Sequence, residues 1–427
     1  MNCLEDLLND QLPTAEDQNK LQSIATGLIR EIGLICKTEK IDANAVEVGS
    51  TSKNTNLKSS DIDIFITFSK SYPVALIEKK GLEIGHRILK NGTEKYAEHP
   101  YVSGYVDGVK VDVVPAFRIK EGERIVSTVD RTPLHTIYVN SRTNNKMVHD
   151  IRLLKIFLKK INVYGSEIAK SGFSGYLCEL AIISFGSFDK FMEYSAKLKG
   201  KMIIPENCKT KFNEPVIIID PVDPTRNAGA AVSEENLSKL KLAAKLYTSN
   251  RCDILFDTVP EVHHNRETTI KVFTVKKPDI IDDIIYPQAV RLKKKIFDIL
   301  ERSGFMPVSF ELYVGNDIEI LIEYLIEKLP DVKKHMGPPV ESCESIKFID
   351  SWRGNKRLMR GPYIIGQRIY VDARIMHTEM EQIVRDELTQ EDIGKNLNSL
   401  KNDIKVLSGD KINDLQVTKN FYSKYLF

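Results

Sequence analysis

Three aspartates and one Gly-Ser turn are the residues whose types and spacing could do chemistry. The stretch Val48-Gly49-Ser50-Thr51-Ser52-Lys53 runs on to Ser60-Asp61-Ile62-Asp63-Ile64-Phe65. In a strand over Asp61–Phe68 alternate side chains share a face, so Asp61 and Asp63 project together while Ile62, Ile64, Ile66 and Phe68 line the buried side. A third carboxylate, Asp112, lies in Val109-Lys110-Val111-Asp112-Val113-Val114, where Val111 and Val113 turn inward and Asp112 outward. Three carboxylates on two strands suit Mg²⁺, a hard cation; two such ions ~3.5–4 Å apart activate an attacking hydroxyl and stabilise a leaving group in phosphoryl transfer. The Gly49-Ser50 turn is the complementary device, with free backbone N–H groups and a hydroxyl to cradle a triphosphate and Lys53 as counter-charge. A lone Asp-x-Asp is common on solvent-facing strand edges, and a lone Gly-Ser turn is a weaker signal still. Their fixed order, followed by a third aspartate on a later strand, favours the metal site.

Positioning these groups needs a mixed α/β scaffold, and the pattern supplies one. Thr14 reads as an N-cap with Asp17 three residues on, and Leu21, Ile24, Leu28 and Ile32 recur at helical spacing, predicting one helix up to about residue 40. Strands are expected at Ala45–Val48 and Asp61–Phe68, then at Tyr101–Val106 and Val109–Val114, the last two joined by Asp107-Gly108, a two-residue hairpin turn. Beyond residue 140 helical periodicity takes over, with Ile151, Leu154, Phe157, Leu158 and Ile161 on one face. Strand character returns at Thr268–Thr274, followed by a helix over Pro287–Ser303, a strand at Met306–Val314 and a helical tail from Met380. The fold class expected is α+β multidomain: 1–140 mixed α/β, 141–257 helical, 258–427 α+β.

Composition bounds the rest. At 427 residues the chain is long enough for two to four domains of roughly 100–200 residues. No apolar run approaches the ~20 residues of a membrane span, and the acidic start Met1-Asn2-Cys3-Leu4-Glu5-Asp6 lacks the basic and apolar stretches of a secretory signal, so a cytoplasmic protein is expected. Cys3, Cys36, Cys178, Cys208, Cys252 and Cys343 are scattered, with neither zinc-ligand spacing nor a disulfide framework. Net charge is only +2, so a nucleic-acid partner must be held by local basic patches. Arg291-Leu292-Lys293-Lys294-Lys295 and the run from Arg353 to Arg360, with Lys356 and Arg357, are the candidates, and such runs also serve as plain solvated surface.

Gly-Ser, then Asp-x-Asp, then an aspartate in a following strand resembles the signature of the DNA polymerase β-like nucleotidyltransferases. The whole chain resembles the archaeal (class I) CCA-adding enzymes, tRNA nucleotidyltransferases of that superfamily. The segments that carry this are Asp150-Ile151-Arg152-Leu153-Leu154-Lys155, Val163-Tyr164-Gly165-Ser166-Glu167, Gly172-Phe173-Ser174-Gly175-Tyr176-Leu177-Cys178-Glu179, Asp220-Pro221-Val222-Asp223-Pro224-Thr225-Arg226-Asn227 and His335-Met336-Gly337-Pro338-Pro339-Val340. Thr51 and Lys53 stand where many members have an aromatic residue and Arg, and Asp61 where some have Glu. The resemblance implies a polymerase β-like palm, a helical central domain and C-terminal RNA-binding α+β domains. It implies template-independent addition and repair of the 3′-terminal CCA of tRNA from CTP and ATP. Asp61, Asp63 and Asp112 would then hold two Mg²⁺ ions, Ser50 and Lys53 the triphosphate, and His135, Lys155 and Tyr164 the nucleotide, while Arg226 would read base or RNA groups. The last domains would grip the acceptor stem and T arm; a homodimer stays open.

From the residues themselves less follows. Arg152, Lys155 and Lys159 share a helix face, which also describes a solvated surface; His135 also suits a surface position and Tyr164 a core. Arg226 follows Pro-Val-Asp-Pro, a turn that could equally close a helix start. A poly(A) polymerase or oligoadenylate synthetase would share the Gly-Ser turn and the aspartates. A catalytically silent RNA-binding protein is opposed by the clustered carboxylates, which repel one another and RNA phosphates alike.

Overall fold

The expected capping residues open the first helix. In the computed structural model, which describes Leu8 and residues 11–96, 98–205, 212–256, 267–375 and 377–423, α1 (Ala15–Thr38) begins at Thr14. Thr14 Oγ1 accepts from Asp17 N at 3.1 Å, and Asp17 accepts from Thr14 N at 2.9 Å. The acidic start at Met1–Asp6, Cys208 and the boundary at 257–258 lie outside the described residues. The chain divides into two compact units that part near residue 258.

The first unit holds a five-stranded mixed sheet of order β1-β2-β5-β4-β3. Its elements are β1 (Ala43–Val48), the short α2 (Gly49–Ser52), β2 (Ile62–Phe68), α3 (Val74–Ile88), β3 (Thr93–Tyr96), β4 (Pro100–Val106) and β5 (Val109–Phe117). The pair β2·β5 is parallel and every other pair antiparallel. Asp107 and Gly108 make the β4–β5 turn with φ of 49° and 78°, the left-handed pair that a two-residue hairpin turn requires. One sheet face packs under α1 and α3: Ile62, Ile64, Val111 and Val113 meet Ile32, Ile77 and Ile84, all essentially inaccessible. Gly81 and Gly85 let α3 approach, because a Cβ there would strike Pro115 and Val102. The strand alternation read from the sequence is kept on this face. Phe65 is buried too, against Val48, Val114 and Ala116, so β2 is covered on both sides beyond Asp63.

A second core in the same unit is built by α4 (Arg131–Arg142), α5 (Asn145–Lys160), α6 (Gly175–Phe185), α7 (Phe188–Lys197), α8 (Glu234–Thr248) and α9 (Cys252–Phe256). The predicted apolar face Ile151, Leu154, Phe157, Leu158 and Ile161 lies at its centre. This region is not helical throughout: β6 (Met202–Ile204), β7 (Val216–Asp220) and β8 (Asp223–Asn227) form a small sheet. Arg226 therefore stands on a hairpin strand, not before a helix; Pro221 and Val222 make the turn.

The second unit has its own core around a sheet of order β10-β11-β9-β15, with β9 (Thr269–Lys276), β10 (Pro307–Val314), β11 (Asp317–Tyr324) and β15 (Lys405–Leu407). Its helix α10 spans Asp282–Ser303 and takes Pro287 inside. It begins five residues earlier than the proline suggested, because Asp282 and Asp283 favour the N-terminal dipole and Ile285 is fully buried. A separate sheet of order β12-β14-β13 joins β12 (Val332–Pro339), β13 (Leu358–Ile365) and β14 (Arg368–Arg374), with α11 (Ser345–Trp352) between the first two in sequence. The tail is not continuously helical: α12 (Met380–Leu388) is followed by β15, which pairs with β9, and α13 (Gln416–Ser423). No helix among the described residues is long and apolar enough to cross a membrane.

Candidate active site

The parallel pairing of β2 with β5 sets Asp63 directly opposite Asp112. Their carboxylates share the sheet face left open by α1 and α3. Asp61 sits one residue before β2, with its side chain 46% exposed. Lys110, two residues before Asp112 on β5, reaches both outer carboxylates: its ammonium contacts Asp61 Oδ2 and lies 3.4 Å from Asp112 Oδ2. Asp63 is the group under most electrostatic load. Burial, then the neighbouring Asp112 and Asp61, push its carboxyl up to about 6, with Lys110 and Lys53 opposing. Asp112 Oδ1 is buried and has no hydrogen-bond partner among the described residues. No three His, Cys, Asp or Glu side chains among the described residues converge into a ready metal cluster; the Lys110 ammonium is the cation between Asp61 and Asp112.

Gly49 belongs to this site sterically. It follows β1 at φ 79°, and a Cβ on it would collide with Asp63 Oδ2. Only glycine combines that backbone conformation with that approach. Ser50 is half-buried in α2, directly beside it.

Lys53, expected as a counter-charge to the triphosphate, is 7% exposed and paired with Glu179 Oε2 at 2.5 Å. Glu179, on α6, is 1% exposed, and its other oxygen accepts from Thr55 Oγ1. Lys155, read as part of a basic helix face, is likewise buried: Nζ donates to Thr55 O at 2.8 Å and stands 3.5 Å from Glu179 Oε1. Burial works to raise the Glu179 carboxyl, but Lys53 and Lys155 outweigh it and hold it below the ordinary range; burial lowers the Lys155 ammonium. Tyr164 lies close by, its hydroxyl 3.2 Å and Lys155 Nζ 3.6 Å from the point where a Cβ on Gly175 would be, at the start of α6. Burial pushes the Tyr164 hydroxyl up, so it stays a neutral donor. The α6 N-terminus, a lysine and a phenol thus converge, and together they favour an anion.

Asp220, at the end of β7, organises the remaining residues. It is fully buried and accepts from His135 Nε2 at 2.9 Å, Arg226 at 2.8 Å, Tyr176 Oη at 3.1 Å and the Val222 backbone N–H at 3.1 Å. Burial works against its ionisation, but His135, the Val222 N–H and Arg226 hold the carboxyl at about 2. His135 stacks on Tyr176 with ring centroids 3.9 Å apart, and burial lowers the imidazole. The structure thus sets Asp63 beside Asp112 with Asp61 linked to Asp112 through Lys110, and gathers Lys53, Lys155 and Tyr164 about α6 and His135 and Arg226 about Asp220.

Sequence reasoning did not single out Lys110, Tyr176, Glu179 or Asp220. A signal existed for two of them. Glu179 interrupts Leu177-Cys178-Glu179-Leu180-Ala181-Ile182, and Asp220 ends Val216-Ile217-Ile218-Ile219-Asp220. A lone acid in an apolar run must be paired when that run is buried.

Comparison with known proteins adds the lineage. Residues 29–135 match the nucleotidyltransferase domain, 149–257 the second domain of tRNA nucleotidyltransferases, and 266–409 the C-terminal domain of CCA-adding enzymes. The chain is 55% identical over 423 residues to the CCA-adding enzyme of Picrophilus torridus, covering 99% of this chain and 98% of that one. It is 41% identical over 428 residues to the CCA-adding enzyme of Thermoplasma acidophilum, covering 99% of each. Among solved structures it overlays the Cid1 poly(U) polymerase bound to MgATP with a TM-score of 0.47 and 14% identity, over 60% of this chain and 97% of that one.

Proposed function

This chain belongs to the family of archaeal CCA-adding enzymes, which complete the 3′ end of tRNA by nucleotidyl transfer, and we propose that it does so from CTP and ATP at Asp61, Asp63 and Asp112, with Mg²⁺ held by those three carboxylates. One observation carries the metal assignment. Asp63 and Asp112 face each other in register, and the buried Asp112 Oδ1 lacks any hydrogen-bond partner among the described residues. An unpaired buried carboxylate oxygen is costly unless a cation completes it.

The tRNA 3′-hydroxyl attacks the α-phosphorus of the nucleotide, and pyrophosphate leaves. When bound, Mg²⁺ lowers the pKa of the attacking hydroxyl and neutralises the leaving group. Gly49 holds the backbone against Asp63, while the Ser50 hydroxyl and the peptide N–H groups of the turn face the triphosphate. Lys155, Tyr164 and the α6 N-terminus add the second anion cradle. Lys53 and Lys155 do this as groups already fixed by Glu179, so their role is positioned charge and not a flexible reach. His135 and Arg226, fixed by Asp220, offer donors to the nucleotide and to the base. On this reading 1–140 carries catalysis, 141–257 the nucleotide and RNA contacts, and 258–427 the grip on the acceptor stem and T arm.

The test is incubation of the protein with Mg²⁺ and a tRNA transcript ending at the discriminator base, with CTP, ATP or both, and products resolved to single nucleotides. Two additions from CTP alone and three from both are expected; a long run of A would reassign the protein to the poly(A) polymerases. Asp63→Ala and Asp112→Ala should abolish incorporation while tRNA binding persists, and full activity in either removes the metal assignment.

A further inference from the structure

Helix α4 is tied to the β7–β8 hairpin on one side and to the five-stranded sheet on the other. Arg131 and His135 stand one turn apart on it, four residues from each other. Arg131 Nη1 donates to Asp223 Oδ2 at 2.8 Å, and His135 Nε2 lies 2.9 Å from Asp220 Oδ2. The two acids that flank the hairpin turn are thus both bolted to one face of α4. The Arg131–Asp223 pair is largely shielded, its side chains 15% and 13% exposed. Asp223 is itself fixed, because Oδ1 accepts from Thr225 Oγ1 at 2.6 Å and from the Thr225 N–H at 3.3 Å. An exposed ion pair adds little, but a shielded pair between fixed partners sets a distance.

Asn140, nine residues beyond Arg131 and so half a turn round the helix, donates from Nδ2 to Ser52 O at 3.2 Å. Ser52 ends α2, the short helix that begins at Gly49. Immediately before α4, the buried Asp130 accepts from Phe117 N at 2.7 Å and from Ser127 N at 2.7 Å. Phe117 closes β5, the strand of Asp112. One helix therefore connects the strand of Asp112, the Gly-Ser turn and the hairpin that carries Arg226.

Arg226 is the open end of this chain of contacts. Its Nη1 donates to Asp220, its side chain is 36% exposed, and Nε and Nη2 have no partner among the described residues. A guanidinium only donates hydrogen bonds. Cytosine and adenine present an amino group beside an unprotonated ring nitrogen, whereas uracil and guanine place a ring N–H there. A donor held in one place accepts the first pair and opposes the second; a donor free to drift finds a carbonyl of the wrong base instead. We propose that Arg131 is a positioning residue for base selection: its pair with Asp223 fixes the hairpin against α4, and thereby the place of Arg226 relative to Asp63 and Asp112. The proposal rests on the reading of Arg226 as a base contact and adds to it the group that sets its position.

The test is single-nucleotide incorporation into a tRNA transcript ending at the discriminator base, comparing kcat/KM for CTP with that for UTP. Arg131→Met and Asp223→Asn should each lower the CTP-to-UTP ratio about tenfold, inside the ~100-fold that a 1 Å misplacement can cost. The double mutant should be no worse than the weaker single, because both break one pair. Arg131→Lys should restore most of the ratio, since a single nitrogen makes the contact. Asp223→Asn keeps an acceptor for Thr225 and removes only the charge, so it reports on the pair even where Arg131→Met folds poorly. A wild-type ratio in either folded variant, even with slower turnover, or fully additive losses in the double mutant, would overturn the proposal. A wild-type ratio in Arg226→Ala would instead remove the reading of Arg226 on which it rests.

Discussion

Replacing Asp63 with Asn should make the metal-free protein more stable while destroying its activity. Burial and two neighbouring carboxylates raise Asp63 from an ordinary 3.8 to about 6. At neutral pH that shift corresponds to about 3 kcal/mol held against folding, at ~1.36 kcal/mol per tenfold change in proton affinity. The sign follows from proton counting. Between roughly pH 4 and 6 the folded state holds this proton and the unfolded chain has lost it, so stability falls as pH rises through that window and is level above it. Asn removes the charge that burial and the two neighbouring carboxylates oppose. In EDTA at pH 7.5, the unfolding transition of the first unit, followed by hydrogen exchange in β2 and β5, should show Asp63→Asn stabilised by ~1–3 kcal/mol, with the gap narrowing by about 1 kcal/mol at pH 5. Added Mg²⁺ should stabilise wild type and leave the variant unchanged. A variant equal to or weaker than wild type in EDTA, or a gap that ignores pH, would refute the argument that the triad is strained by its own charge.

Glu179→Gln should leave Lys53 and Lys155 buried without a counter-charge, costing ~3–5 kcal/mol, visible as a lower unfolding midpoint of the first unit. Gly49→Ala should lose activity through Asp63, whereas Gly108→Ala, at nearly the same φ but with open space around it, should cost only the ~1–2 kcal/mol of left-handed backbone and keep kcat. Asp220→Asn and Arg226→Ala should each raise the KM for nucleotide, and the double mutant should fall short of their sum by ~0.5–3 kcal/mol, because both act through one ion pair; additive effects would separate them.

What was legible in the sequence was what local periodicity encodes. The alternation of Ile62, Ile64 and Ile66 marked the face of β2 that packs under α1 and α3 but not the burial of Phe65 on the other, Asp107-Gly108 marked a hairpin, and Thr14 with Asp17 marked a helix start. The register of Asp63 against Asp112 was not legible, since β2 and β5 pair across the intervening α3, β3 and β4. Lys155 shows the same limit. Its helical spacing with Arg152 and Lys159 suggested a basic surface, and only a carboxylate on another helix makes its burial tolerable. Pro287 misled for the opposite reason: its local preference for a first turn yielded to the burial of Ile285 upstream.

The cations at this site obey one rule that no local pattern contains. Lys53 and Lys155 rest on Glu179, Arg226 on Asp220, and Lys110 on Asp61 and Asp112, while His135, whose imidazole burial lowers, shares Asp220 with Arg226. Each is held by a carboxylate before any substrate arrives, which keeps a cluster of positive charge folded around the open face of an acidic sheet. On the proposed reading an incoming triphosphate would then meet donors whose positions are already fixed, so little of its binding energy would go into arranging them. The same logic makes the carboxylates of the second kind, Glu179 and Asp220, as consequential as the aspartates proposed to face the reaction, although neither needs to touch the nucleotide.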